Sequence, residues 1–216
     1  MALINYLTQI QFAEGAVGLL AQELAALGIE RPLVVTDKGV RQAGLLDKAL
    51  ASLSAKTAGI FDETPGNPTE AAVRAAAAAY LESGADGIVA IGGGSAIDLA
   101  KGVAIAATHD GPLKDYAVIA GGAARITART APVVAVPTTA GTGSEVGRGA
   151  IIILDDGRKV GLLSPYLIPR RAICDPDLTV TLPAGLTAAT GMDALSHCVE
   201  TYLSAAYNPP ADGIAL

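Results

Sequence analysis

The chain has 216 residues, of which 51% are hydrophobic and only 4% aromatic, with a formal net charge of −6 at neutral pH. A core of that make-up is built from Ala, Val, Leu and Ile, which suits parallel strands covered by Ala-rich helices. The acidic balance and the lack of any basic run or of ~20 apolar residues in a row argue against nucleic acid and membrane partners.

In chain order, Ala16 to Leu27 has helical periodicity and closes at Gly28, and Pro32–Thr36 is a short buried strand. Val40 to Leu53 reads as a helix and Gly59–Phe61 as the end of a strand. Thr69 to Leu81 is an Ala-rich helix with Thr69 as its cap and Gly84 as its stop. The strand Gly87–Ile91 and the helix Ser95–Ala107 follow; Gly111 to Ala131 is a long connection, and Val133–Val136 is another buried strand. Gly149–Leu154 and Lys159–Leu163 flank Asp155-Asp156-Gly157-Arg158, a hairpin signal. Arg171–Cys174 is the last strand, and from Pro183 the pattern is helical: Leu186 to Leu203, then a helix starting near Ala211. The alternation predicts an α/β fold, a parallel sheet with helices on both faces over residues 1–181. Residues 182–216 begin an all-helical domain, expected to be incomplete because one long helix cannot bury its own apolar face. That face is expected to make the chain self-associate. Met1–Tyr6 shows no leader. Cys174 and Cys198 make no disulfide framework, so a reducing cytoplasm is the expected setting.

Three features carry chemistry. After the run Ile88–Ile91, Gly92-Gly93-Gly94 lead into Ser95: strand, tight turn, helix N-terminus, a cradle for phosphate. The plainer reading is an ordinary turn with Ser95 as cap and Asp98 completing a capping box, but three glycines exceed what a turn needs. Asp37, just past Leu33–Thr36, either accepts hydrogen bonds from a ribose and repels a 2′-phosphate or caps the next helix; the residues alone leave both open. The hydroxyl-rich stretch Pro137-Thr138-Thr139-Ala140-Gly141-Thr142-Gly143-Ser144-Glu145 follows the neighbouring strand and is suited to holding a flat ring and phosphates. In the last long helix Asp193 and His197 share a face, either as a surface ion pair or as two ligands of a divalent metal. Nothing places His109 near them.

Together these pieces resemble the iron-containing, metal-dependent alcohol dehydrogenase family. The resemblance rests on Thr36-Asp37-Lys38-Gly39, Asn67-Pro68-Thr69, the stretch from Gly92 to Lys101, that from Pro137 to Val146, Asp175-Pro176-Asp177-Leu178-Thr179, and the stretch from Ala189 to His197, in family order. It implies a Rossmann-like N-terminal domain, a helical C-terminal domain, and a cleft between them for NAD(P) and a divalent metal, Fe2+ or alternatively Zn2+. By the same resemblance Asp37 holds the adenosine ribose and favours NAD. Gly93, Gly94, Ser95 and Asp98 surround the pyrophosphate and nicotinamide end, Thr138, Thr139 and Thr142 contact the cofactor, and so do Lys159, Thr179 and Leu182. Asp193 and His197 match the first two of four metal ligands. The pattern continues in the family into helices with two further histidines that this sequence lacks, so the resemblance implies a fragment of a complete, homodimeric enzyme acting on a small alcohol or aldehyde. In that enzyme the metal acidifies the alcohol and hydride passes to the nicotinamide; no general base is assigned. The alternatives are a non-catalytic NAD-binding fragment and a relative of the maleylacetate reductase or glycerol dehydrogenase type; Ser95, where glycerol dehydrogenases usually have Lys, argues mildly against the glycerol dehydrogenases.

Overall fold

A computed structural model describes residues 8–53 and 57–216; Met1–Tyr6, read above as carrying no leader, lies outside them. The chain runs through β1 (Gln9–Phe12), a 3-10 turn at Ala16–Leu19, α1 (Leu20–Ala26), β2 (Pro32–Val35), α2 (Lys38–Gln42), α3 (Leu45–Leu50), β3 (Gly59–Phe61) and α4 (Glu70–Glu82). It continues through β4 (Gly87–Gly92), α5 (Gly94–Ala106), three 3-10 turns between Leu113 and Arg125, β5 (Val133–Pro137), β6 (Gly149–Ile153), β7 (Lys159–Leu163) and β8 (Arg171–Cys174). The helices α6 (Ala184–Leu203) and α7 (Pro209–Ala215) follow.

Six strands form one parallel sheet in the order β1-β8-β5-β4-β2-β3, and β6 and β7 form a separate antiparallel ribbon. Side chains alternate across the central strands, as the two-residue period requires. Leu33, Val35, Ile88, Ala90, Val133 and Ala135 pack under α4, α5 and the ribbon. Val34, Val89, Ile91, Val134 and Val136 face the opposite way onto Leu20 and Leu24 of α1 and Val40 and Leu46 of α2 and α3. This is the doubly covered, Rossmann-like sheet that the alternation predicted.

Local signals behave as written for α4, where Thr69 Oγ1 accepts the Ala72 N–H at 3.2 Å and Gly84 closes the turn at φ +62°. The β6–β7 hairpin turns at Gly157, φ +83°. Two expectations are corrected. Val40–Leu53 is not one helix: Gly44 sits in the left-handed region at φ +73°, ending α2 and restarting the chain as α3. Ala16–Leu27 likewise begins as a 3-10 turn and becomes α-helical only at Leu20. Strand β1 is an addition, an edge strand beside β8 with Ile10 and Phe12 exposed. No residue of α6 or α7 is buried, and α6 presents Met192, Leu195, Val199 and Leu203 at the surface.

Candidate functional site

The sheet sets the site. From β2 the chain moves outward to β3, then returns across β2 to place β4 on its other side, so β2 and β4 flank the point where strand order reverses. In sheets of this kind the crevice past the carboxyl ends at such a point is where ligands lodge. A cleft of about 760 Å³ opens there, well within the ~300–1,000 Å³ of small-molecule sites.

One wall comes from the end of β2. Asp37 is the N-cap of α2, its Oδ1 accepting the Val40 N–H at 2.9 Å. The cap reading of Asp37 is thus the one observed, and the same carboxylate also lines the cleft. Its Oδ2 lies 3.4 Å from where a Cβ on Gly92 would stand, so it faces the glycine turn.

The floor is that turn. Gly93 is the N-cap of α5 and offers no side-chain hydrogen bond. This overturns the capping-box alternative: Ser95 Oγ donates instead to the Gly66 carbonyl at 2.7 Å, pinning the loop after β3 to the turn, and Asp98 points elsewhere. The 13-residue α5 thus presents an end without a side-chain cap to the cleft, with Gly93, Gly94 and Ser95 in the lining. Such an end carries orphan N–H groups and partial positive charge, the make-up of an anion site.

The other wall is the threonine loop. β4 and β5 run in register to Gly92 opposite Pro137, so the two loops leave side by side. They interlock: a Cβ on Gly94 would stand 2.5 Å from Thr142 Cγ2, and one on Gly93 3.2 Å from Thr139 Oγ1. The protein's own threonines fill the space the glycines leave, so packing itself favours glycine here. Thr138, Thr139 and Thr142 all line the cleft. On the far side Gly141 meets α6, where a Cβ would stand 2.7 Å from the Thr190 carbonyl oxygen. Leu182, Leu186 and Thr190 complete that side.

Three expected residues do not line the cleft. Asp98 is half-buried behind it, accepting from Ser144 Oγ at 2.6 Å and from the Ile151 N–H at 2.9 Å; partial burial raises its carboxyl above the usual range, against these two bonds. Lys159 lies at the surface with Nζ 3.4 Å from Asn67 Oδ1, next to the cleft residue Gly66. Thr179 Oγ1 donates to the Pro176 carbonyl. Asp193 and His197 are also outside the lining, the first half-exposed and the second exposed, with Oδ1 and Nε2 4.0 Å apart. Leu186, Thr190, Asp193 and His197 recur at helical spacings of four, three and four, so the pair continues the stripe of α6 that borders the cleft. Among the described residues no group of three or more His, Cys, Asp or Glu could hold a metal ion. Two donors are a half-site, and they do not by themselves fit a divalent ion. A dinucleotide, by contrast, fits what is present: an acid for hydroxyls, an open helix end for phosphates, and hydroxyls for the remainder.

Residues missed from the sequence also line the cleft: Asp62, Glu63 and Thr64 after β3, and Leu186 and Thr190 of α6. The first group follows a strand that pairs directly with β2, a signal available only once the sheet order is known. Lys101, buried beneath the threonine loop, ends the Gly92–Lys101 stretch on which the resemblance rests but is given no role of its own there.

The strand order and the crevice at its reversal define a Rossmann-like α/β protein. A family model described as iron-containing alcohol dehydrogenase matches residues 8–176, and the chain belongs to that family. It is 64% identical over 216 residues to a 4-hydroxybutyrate dehydrogenase of Cupriavidus necator, covering 100% of this chain and 56% of that protein. Among solved structures it is similar to a 1,3-propanediol oxidoreductase, with a TM-score of 0.91, 40% identity, and coverage of 99% of this chain and 56% of the other. A sulfoacetaldehyde reductase from Bifidobacterium kashiwanohense, solved in complex with NAD+, has a TM-score of 0.91 at 31% identity, covering 100% and 57%. The chain thus spans little more than half the length of these relatives. Among the described residues no helix is long and apolar enough to cross a membrane.

Proposed function

We propose that this chain is the cofactor-binding portion of an NAD-dependent, metal-dependent alcohol dehydrogenase. The observation that carries the reading is the convergence of the glycine turn and the threonine loop on one cleft, with Asp37 at its edge. In this reading Asp37 accepts hydrogen bonds from both hydroxyls of the adenosine ribose, and its charge repels a 2′-phosphate. The N-terminus of α5 holds the pyrophosphate at Gly93, Gly94 and Ser95. Thr138, Thr139 and Thr142 orient the nicotinamide end, with Leu182 against it. Lys159 and Thr179 support the rim, and Asp98 acts from behind through Ser144. A nicotinamide held there would supply the hydride acceptor for the carbinol carbon of a substrate, and these residues would fix its distance and angle.

Residues 1–181 form the nucleotide-binding unit in this proposal, and residues from 182 on belong to a metal- and substrate-bearing helical unit. Asp193 and His197 contribute two ligands to a divalent ion, Fe2+ with Zn2+ as the alternative, and no step is assigned to that ion. The substrate class is a small alcohol or its aldehyde; the 64% identity to a protein named for 4-hydroxybutyrate favours a short ω-hydroxy acid. A cytoplasmic homodimer is the proposed working form, consistent with Cys174 and Cys198 both being free thiols.

The test is a fluorescence titration of the chain with NADH and NADPH. NADH is expected to saturate, with NADPH weaker by about tenfold or more, the scale of one unpaired charge contact at ~1.4 kcal/mol. Equal affinity for both removes the role of Asp37, and no binding of either removes the proposal.

A further inference from the structure

Lys101 is fully buried in the middle of α5, one turn beyond Asp98, and touches nothing in the cleft. Its Nζ meets four oxygens: the Ser144 carbonyl at 2.7 Å, Ser144 Oγ at 2.9 Å, the Gly147 carbonyl at 2.9 Å and the Gly149 carbonyl at 2.7 Å. All four belong to the segment that leaves the threonine loop and enters β6. An ammonium has three protons to share among these oxygens, whereas methionine in its place would leave every one of them short of a donor. Ser144 is the link. Its hydroxyl proton is committed to Asp98 Oδ1, which turns its lone pairs toward Lys101. Its backbone N–H reaches Thr142 Oγ1 at 3.3 Å, and Thr142 occupies the space beside Gly94. A continuous set of contacts therefore runs from a buried cation to the floor of the cleft.

We propose that Lys101 is a positioning residue: through Ser144 it sets the conformation of the 138–149 segment and thereby the affinity for the nicotinamide dinucleotide. This rests on the cofactor reading of the cleft. Asp98 supplies the opposing charge from the same helix and braces the ribbon at Ile151, so the two residues of α5 hold both the loop and the strand it enters. Glu145 on the loop adds a second negative charge that favours the ammonium, while burial works against it and lowers Lys101 to about 8.

The experiment compares the wild-type chain with Lys101→Met, Ser144→Ala and Ser144→Thr by NADH titration and by hydrogen exchange of the cofactor-free protein. Lys101→Met is expected to open the 138–149 segment to exchange and to cost most of the NADH affinity. Should it fail to fold, Ser144→Ala carries the test: it removes the hydroxyl that accepts from Lys101 and donates to Asp98, leaves three carbonyl acceptors for Lys101, and is expected to weaken NADH about tenfold or more, the scale of the two hydrogen bonds lost. Exchange should quicken in residues 138–149 and not in β4, and Ser144→Thr, which keeps the hydroxyl, should restore both readouts. Wild-type NADH affinity in Ser144→Ala despite a loosened loop would reduce Lys101 to a purely structural role and overturn the proposal. Unchanged loop exchange in Ser144→Ala overturns the clamp itself. A wild-type chain that binds no NADH, with the loop responding as described, overturns the cofactor reading and the affinity half of the inference while leaving the clamp standing.

Discussion

Replacing Gly94 with alanine tests the meeting of the two loops directly. Gly94 has no positive φ, so an added methyl meets no backbone strain and its effect is steric. On the helix scale alanine is favoured over glycine by about 0.8–1.0 kcal/mol in an interior position, less at the first turn. Against this the new Cβ would lie 2.5 Å from Thr142 Cγ2, 2.8 Å from its Oγ1 and 3.0 Å from its Cβ. No rotation of Thr142 clears all three atoms, so the loop backbone has to move. Forced methyl groups of this kind cost about 1–3 kcal/mol, and Thr142 is exposed, which places the cost at the low end. The net expectation is a loss of about 0–1 kcal/mol in stability together with weaker NADH binding, because the displaced loop is one wall of the cleft. The decisive form is a double-mutant cycle with Thr142→Ala, read by urea denaturation and NADH titration. Thr142→Ala removes the two nearest atoms, so the double variant should recover part of what Gly94→Ala loses, with a coupling of about 1 kcal/mol. Strict additivity in both measurements would mean that the glycine turn and the threonine loop do not touch, and the shared site would fall with them.

Asp37→Gly should raise NADPH affinity toward that of NADH while the melting temperature barely moves, since glycine in place of aspartate at an N-cap costs only a few tenths of a kcal/mol; an unchanged NADH/NADPH ratio refutes the ribose role. In a full-length protein of this sequence, Asp193→Ala and His197→Ala should each abolish metal-dependent turnover without altering NADH affinity, and retained turnover removes the metal assignment. His109 gives a pH dependence. Its Nε2 accepts the Thr127 N–H at 3.0 Å, so that nitrogen is unprotonated in the fold, and burial first, then Arg129, holds the imidazole below its ordinary value. The unfolded chain therefore binds the proton more readily, and the stability His109 contributes is present above its unfolded value of about 6.5 and is lost as pH falls toward the folded one. Urea midpoints across pH 7.5 to 5 should fall in the wild type and fall less in His109→Gln; parallel curves for the two proteins would refute it.

Much of the fold was legible because its central strands are buried on both faces and read as unbroken apolar runs: Leu33–Val35, Ile88–Ile91 and Val133–Val136. The hairpin was legible from Asp156-Gly157, and α4 from Thr69. Strand β1 was not, because Gln9-Ile10-Gln11-Phe12 is an edge strand with its apolar side chains exposed and takes its place only from β8, some 160 residues on. Gly44 was a visible warning of the break, outweighed by a hydrophobic pattern that continues across it from Val40 to Leu46. In the site, Asp37 could be placed at the end of β2 but not decided between cap and ligand, and the structure shows why: one carboxylate does the first and faces the space for the second. Lys101 was given no role for a different reason. A lysine in a helix normally reaches for solvent, and the oxygens that make its burial tolerable lie 43 to 48 residues further along the chain.

The three glycines deserve a different explanation from the one their sequence invites. A glycine run after a strand reads as room left for a phosphate, yet a methyl on Gly92 would collide with Ala96 Cβ at 2.7 Å and one on Gly94 with Thr142 at 2.5 Å. The room is already taken by protein. What the glycines permit is that β4 turns into α5 without a side chain capping the helix, while the next loop packs against the turn from the β5 side. A capping serine or aspartate in place of Gly93 would satisfy the first N–H groups internally and would also push on Thr139, 3.2 Å from that position. Ser95, the nearest hydroxyl, is drawn away to Gly66. The open helix end is therefore a product of packing between two loops on adjacent strands, and Lys101 and Asp98 hold the second of those loops from behind. On the cofactor reading proposed above, phosphate affinity is set as much behind the cleft as within it.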